Sequence, residues 1–337
     1  VPELRAQIAR DLARRNIAVD PQDILVTTGS QQGLDLATRL LVDPGERFLV
    51  EQATYAGAIN LLSAAGAQIV PVPTDEVGPD LDALDAIGKG GAKGFYLMPS
   101  CQNPTGATLP RERREALLRW SERSRVPLIE DDYGADLDLE GNGEPIALRA
   151  LSGDVLHLGS YSKRLVPALR VGYLVAPRTL VPRLVGLKHA MDLGTSALLQ
   201  HVLAEFLDRG YLVAHLEHSL PEYRRRRDAV AEVLQHHLPQ GVRWSWPHRG
   251  LLFWLELPPE VAAEDIHEES RKRGVLVTPG TLNSAGATVR QGVRITFCAE
   301  PVERLEEGVR RLCAATAAVM SRRSHSLSSQ PSYLSGA

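Results

Sequence analysis

Between residue 24 and residue 176, short apolar runs recur between longer amphipathic stretches: ILVTT (24–28), RFLVE (47–51), AQIVPV (67–72), GFYLMP (94–99), VPLIE (126–130), DVLHLG (154–159) and VGYLVA (171–176). They have the length of strands and are apolar at most positions rather than at alternate ones, the pattern of strands covered on both faces. Most are far enough apart for a crossover helix, so they predict a mainly parallel sheet with helices on its two faces. The gap before the last run is shorter and polar, and there the final strand is expected to run antiparallel.

After residue 211 the pattern changes. A long charged helix (216–238) precedes the strand LLFWLEL (251–257), a helix over 262–273, the runs VLVTPG (275–280) and VRITFC (293–298), and the helix PVERLEEGVRRLCAAT (301–316). This is the order of a small α+β domain. The expected division is a large domain over 1–212, a small one over 213–318 and a disordered serine-rich tail over 319–337. The chain opens within a helical pattern and without a methionine, so a further upstream segment is expected.

Composition narrows the function classes. Lys plus Arg number 38 against 41 Asp plus Glu, a net charge of −3 that gives no electrostatic case for nucleic acid or a membrane surface as a partner of this segment. Cys101, Cys298 and Cys313 are odd in number and lack metal-ligand spacing, which argues against a disulfide framework or a zinc site and for a reducing, cytoplasmic setting. No run approaches a membrane span, and the start does not read as a signal peptide.

Ligands of open α/β sheets bind beyond the carboxyl ends of the strands, so the residues that follow each strand carry the chemistry. After ILVT comes TGSQQG (28–33), a glycine turn opening a helix whose first amides, at Gly29, Ser30 and Gln31, are free to bind an anion. Taken alone it reads equally as an ordinary N-cap. After PLIE comes DDY (131–133), where a carboxylate could hold a pyridine nitrogen protonated and a phenol could reach the ring oxygen; alternation along the strand favours Asp131 with Tyr133 and turns Asp132 away. Without other motifs, this cluster reads as a turn about as readily as a site. After DVLHLG comes SYSK (160–163). A strand-end lysine can condense with an aldehyde cofactor, and Arg170 with the hydroxyls of Ser160 and Ser162 suits a phosphate.

SCQNPTG (100–106), EDDY (130–133) and GSYSKRLVPALRVGYLVAP (159–177), in this order and at these separations, resemble the pyridoxal-phosphate enzymes of fold type I. Within that group they are similar to class I/II aminotransferases of the 2-aminoadipate type and to the aminotransferase-like domain of MocR-type regulators of the GntR family. The resemblance covers residues 3 to 318 and is strongest at these motifs and at VRITF and VERLEEGVRRL. It implies an α/β fold, a mainly parallel seven-stranded sheet with flanking helices and a small C-terminal domain. It also implies a homodimer acting on amino acids and 2-oxo acids. Lys163 is implied as the Schiff-base lysine of pyridoxal 5′-phosphate, with Asp131 on the pyridinium and Asn103 and Tyr133 on the ring oxygen. Ser30, Gln31, Ser160, Ser162 and Arg170 are implied to hold the phosphate, Tyr55 to stack on the ring, and Arg294 to clamp the substrate α-carboxylate. On the residues alone, Tyr55 could as well be a half-buried tyrosine bonded to backbone, and Arg294 an edge-strand surface arginine.

The main alternative is the sensing half of a transcription regulator, binding cofactor and amino compound without turnover; another is a different reaction on the same cofactor. Two departures bear on specificity. Relatives carry a further N-terminal arm, and where many read GGMF this chain reads RGLLF (249–253), which places Arg249 near the expected site entrance.

Overall fold

The computed structural model describes residues 1–75, 77–143, 145–286 and 291–328. In chain order the large domain comprises α1 (Pro2–Ala13), β1 (Ile24–Thr27), α2 (Ser30–Leu41), β2 (Arg47–Glu51), α3 (Ala56–Ala64), β3 (Gln68–Val72), the hairpin β4 (Thr74–Asp75) and β5 (Gly78–Pro79), α4 (Leu81–Gly88), β6 (Phe95–Leu97), α5 (Arg111–Ser124), β7 (Leu128–Asp131), the short α6 (Leu148–Leu151), β8 (Leu156–Ser160), β9 (Gly172–Val175), α7 (Val181–Asp192) and α8 (Ala197–Asp208). The seven apolar runs form one seven-stranded sheet in the order β1-β9-β8-β7-β6-β2-β3. β9 is antiparallel to both its neighbours, as its short polar connection predicts, and the remaining pairs are parallel. Apolar cores lie between the sheet and its helices, one built on Leu34, Leu36 and Leu158 and another on Phe95, Leu117 and Trp120. Burying each such leucine contributes about 1.5–3 kcal/mol, which is why strands apolar at most positions require helices on both faces.

The small domain holds α9 (Tyr211–His237), β10 (Arg243–Trp244), β11 (Leu252–Glu256), α10 (Ala263–Lys272), β12 (Thr278–Pro279), β13 (Gly292–Thr296) and α11 (Val302–Ser328). Its antiparallel sheet has the order β10-β11-β13-β12 and packs a core that includes Phe253, Leu255, Val293 and Phe297. The expected boundary at residue 212 falls inside α9. Leu212 belongs to the core beside α1, whereas Val230 and Leu234 belong to that of the small domain, so one helix serves both.

Two expectations are corrected. The run VLVTPG yields only the two-residue β12, and Leu276 within it is exposed. The helix α11 continues well past residue 318 to Ser328, so the tail expected from 319 does not start there. Val309, Leu312, Thr316 and Val319 recur at helical spacing and are all buried, and this apolar stripe outweighs the serine-rich composition. The rest of the expected tail, 329–337, lies outside the described residues.

Two glycines fix α2 against the sheet. Gly29, its N-cap, has φ +79, a conformation glycine adopts without strain. Gly33 packs so closely on β8 that an added Cβ would sit 2.8 Å from Leu158 Cδ2. The first turn of α2 is thereby held at the carboxyl edge of the sheet.

Candidate active site

A cleft of about 320 Å³ opens at that edge and brings together Ser30, Gln31, Tyr55, Asn103, Asp131, Tyr133, Ser160, Ser162, Lys163, Arg170 and Arg294. These are all the residues expected from the sequence except Gly29, which lies directly behind Arg170: a Cβ on Gly29 would approach Arg170 Nη2 to 2.9 Å. A roomier cleft of about 450 Å³, lined by Trp244, Trp246 and Trp254, lies elsewhere between the two domains and contains none of these residues.

The turn before α2 is held from outside the cleft. Gln32 Oε1 accepts from Thr28 N (2.8 Å) and from Lys188 Nζ (2.8 Å), and its amide donates to Asp192 Oδ2 (2.8 Å). Gly29 offers no side chain to cap the helix, so its first amides remain available to an anion. Arg170, exposed and in the left-handed region at φ 49, reaches back with Nη2 to the Thr28 carbonyl at 3.5 Å. Helix start, guanidinium and the hydroxyls at the end of β8 together compose a phosphate cup.

Lys163 owes its position to its neighbours. Tyr161 and Arg164 are buried; the guanidinium stands 5.1 Å from the Tyr161 ring centroid and pairs with Asp11 (2.7 Å) and Asp136. Lys163 itself is exposed in the cleft, and among the described residues it has no hydrogen-bond or ion-pair partner. A lysine amine anchored on both sides and left unpaired suits condensation with an aldehyde.

At the end of β7 the two acids divide as the strand alternation predicts. Asp131 and Tyr133 line the cleft, while Asp132 is buried and ion-paired with Arg15. Asp131 Oδ2 accepts from Tyr96 Oη at 2.8 Å, and its Oδ1 has no hydrogen-bond partner among the described residues. Burial pushes the Asp131 carboxyl up to about 6; the Tyr96 hydrogen bond works in the opposite direction and the charge of Asp132 adds to the rise. Its folded pKa lies above the unfolded one. The bare chain therefore loses stability from this group as pH rises from about 4 to about 6, because a desolvated carboxylate must then be carried in the folded state.

Arg294 projects from β13. Its Nη1 donates to Asn103 Oδ1 (2.8 Å) and Nη2 to Thr278 Oγ1 (3.1 Å), while Nε has no partner among the described residues. It is thus a half-buried cleft residue bonded to a loop of the large domain rather than a surface arginine. Tyr55 is half-buried at the start of α3, where burial first and the Asp131 charge second raise its phenol pKa. Tyr133 Oη lies 3.4 Å from Cys101 Sγ.

Arg249 is not at the entrance. It is buried, donates to the carbonyls of Ala135 (3.0 Å) and Gly143, and pairs with Asp138 at 3.5 Å, tying β11 to the loop after β7. Conversely Tyr96, Met98, Pro167, Leu252 and Thr296 were not expected, although all but Tyr96 line the cleft and Tyr96 bonds one of its acids. The signal for Tyr96 and Met98 was the spacing of two in FYLM, which sets both on one face of β6.

The arrangement fits pyridoxal phosphate. Among the described residues, Ser162 Oγ and Asp131 Oδ1 are buried polar atoms without a partner, the first a donor for a phosphate oxygen and the second an acceptor for a protonated ring nitrogen. Both lie on residues of the cleft that holds the unpaired amine of Lys163. No group of acidic, histidine or cysteine side chains that could hold a metal ion occurs among the described residues.

Comparison with known proteins agrees. The family model for aminotransferase class I and II matches residues 1–312. The chain is 36% identical over 301 residues to a 2-aminoadipate transaminase of Thermus thermophilus, covering 88% of this chain and 76% of that protein. The crystal structure of the α-aminoadipate aminotransferase LysN from Thermus thermophilus, complexed with N-(5′-phosphopyridoxyl)-L-leucine, superposes with a TM-score of 0.90 at 34% identity, covering 96% of this chain and 82% of that one. The HTH-type transcriptional regulator TauR of Rhodobacter capsulatus is 34% identical over 307 residues, 90% of this chain but 62% of the regulator.

Proposed function

The chain belongs to the class I and II aminotransferases, and from that premise we infer how the residues of the cleft divide the work of the reaction. It is a fold type I, pyridoxal-phosphate-dependent aminotransferase that moves an amino group from an amino acid to a 2-oxo acid. When bound, the cofactor supplies an aldehyde that bonds reversibly to amines and a ring that delocalises the electron pair left at the substrate Cα.

The protein's own part is binding, orientation and proton handling. The amides at the start of α2, the hydroxyls of Ser30, Ser160 and Ser162, the Gln31 side chain and the Arg170 guanidinium would hold the phosphate. Asp131 would keep the ring nitrogen protonated, Asn103 and Tyr133 would bond the ring oxygen, and Tyr55 would cover one ring face. Lys163 would bond the aldehyde; displaced by the substrate amine, it would become the general base that takes the proton from Cα and returns it on the cofactor side. Arg294 would hold the substrate carboxylate in two parallel bonds. The observation that carries this reading is the unpaired Lys163 amine in one cleft with the partnerless Asp131 Oδ1. The test is a single-turnover assay of a panel of amino acids against the cofactor-loaded protein, reading 2-oxo acid by mass. Stoichiometric product from at least one member is expected; binding to all tested partners without product is what a sensing domain would give.

The register of the two acids is testable separately. Asp131→Ala is expected to lower turnover by about a hundredfold or more and to weaken cofactor binding only modestly. Asp132→Ala breaks the buried ion pair with Arg15 and is expected to lower stability by about 3–5 kcal/mol. Denaturant midpoints and single-turnover rates on both variants separate the two roles.

We further propose a homodimer. Val185, Met191, Leu193, Leu198, Val202 and Tyr211 are exposed along α7, α8 and the start of α9, an apolar face of the kind that subunit contacts bury. Light scattering is expected to give twice the 36.8 kDa chain mass, and Leu198→Asp to shift it towards the monomer. A cytoplasmic location is proposed on the three free cysteines. No described helix is long and apolar enough to cross a membrane.

A further inference from the structure

Tyr96 is fully buried on β6, and its hydroxyl donates to Asp131 Oδ2 at 2.8 Å. No other hydrogen bond to that carboxylate from a side chain is present among the described residues, and the second oxygen, Oδ1, has none. The carboxylate is thus divided: one oxygen is held by a phenol, the other is left for a ligand. A phenol in this place can act only as a donor, because burial and the nearby Asp131 and Glu51 carboxyls oppose its ionisation. The strand pairing that puts Tyr96 opposite Ile129 fixes the donor two residues back from the acid it holds, so the phenol is set by the sheet rather than by a loop.

We propose that Tyr96 is a positioning residue for the aminotransferase reaction: it fixes the rotamer of Asp131 and favours its ionised form, so that the free oxygen meets the cofactor's ring nitrogen as an anion. This rests on the assignment of Asp131 to the ring nitrogen. The groups that act on Asp131 from the surrounding elements are Asp132 and Tyr133 on its own segment, His157 on β8, Tyr55 before α3 and Tyr96 on β6. His157 Nδ1 is bonded to Glu130 at 2.9 Å, and Asp132 is paired with Arg15, so both already have partners. Tyr96 is the one whose hydrogen bond reaches the Asp131 carboxylate from another strand.

Tyr96→Phe removes that hydrogen bond and little else. The variant, Asp131→Asn and the double variant are compared by the dissociation constants of pyridoxal phosphate and of its 1-deaza analogue, which lacks the ring nitrogen. Tyr96→Phe is expected to weaken pyridoxal phosphate about tenfold and the deaza analogue less than twofold, and to add less than twofold in the Asp131→Asn background. Melting of the cofactor-free variant supplies a second readout: the loss relative to wild type is expected to be larger at pH 8 than at pH 5, because the lost bond was to the ionised form. Equal weakening of both cofactors, or full additivity with Asp131→Asn, overturns the role of Tyr96 while leaving that of Asp131 in place. If Asp131→Asn itself fails to discriminate between the two cofactors, the assignment of Asp131 falls and this proposal with it.

Discussion

Lys163→Ala is expected to give a folded protein that binds pyridoxal phosphate without a covalent bond and has lost at least about a thousandfold in single-turnover rate, on the order of 4 kcal/mol of barrier. The structural reason for intact folding is that Lys163 is exposed and has no partner among the described residues, so its removal breaks no contact on which the turn depends. The turn is held instead by buried Tyr161 and Arg164, the latter paired with Asp11 and Asp136, and by the bond from Tyr161 N to Val171 O at 3.1 Å. Stability is therefore expected within about 0.5 kcal/mol of wild type. The chemical reason for the large loss is that one side chain performs two tasks, carrying the cofactor and moving the proton at Cα. Borohydride reduction followed by peptide mass mapping reads the first: the wild type should fix the cofactor on the peptide containing Lys163 and the variant on none. A variant that keeps both the adduct and the rate would move the reactive amine to another lysine.

What was legible in the sequence follows from the period of each feature. Strands buried on both faces announce themselves as apolar runs, and all seven were found because helices cover both sides of the sheet. That Asp131 rather than Asp132 faces the cleft was also legible, since side chains alternate along a strand up to and just past its end. Arg249 was not. Its place where many relatives read GGMF set it near the site entrance, but the loop after β7 offers the carbonyls of Ala135 and Gly143, and a guanidinium with such acceptors turns inward. Tyr96 was half-hidden: an aromatic residue in an apolar strand reads as core, and its spacing of two from Met98 gives only the face it lies on, whereas the folded sheet brings its hydroxyl onto an acid of the neighbouring strand. The continuation of α11 was masked by composition. Serine and arginine dominate after residue 320, yet Val319 sits in register with Leu312 and Thr316 and is buried with them.

The same register logic bears on Arg294, for which Arg294→Lys is expected to lower the single-turnover efficiency with amino acids about a hundredfold while leaving cofactor affinity within a few-fold of wild type. Arg294 lies opposite Trp254 and Thr278 in an inner strand of the four-stranded small sheet, so its backbone is fixed from both sides. Each terminal nitrogen donates one bond, Nη1 to Asn103 at 2.8 Å and Nη2 to Thr278 at 3.1 Å, and Nε is without a partner among the described residues. A guanidinium placed in this way retains donors for a second, planar acceptor, and a carboxylate has the matching geometry. The bond to Asn103 also couples the clamp to the residue proposed to hold the ring oxygen, so substrate and cofactor would be oriented by one connected set of side chains. Lysine keeps the charge but presents a single point in place of the fork, and it is too short to hold both Asn103 and a ligand. The Cα–H bond of the substrate would then lose its alignment with the ring, and misplacement by about 1 Å costs on the order of a hundredfold in rate. Simple amines, which have no carboxylate to lose, are expected to react at rates within a few-fold of those with wild type, and the ratio of amino acid to amine efficiency is the quantity to measure. An unchanged ratio would place the carboxylate clamp on another residue of the cleft.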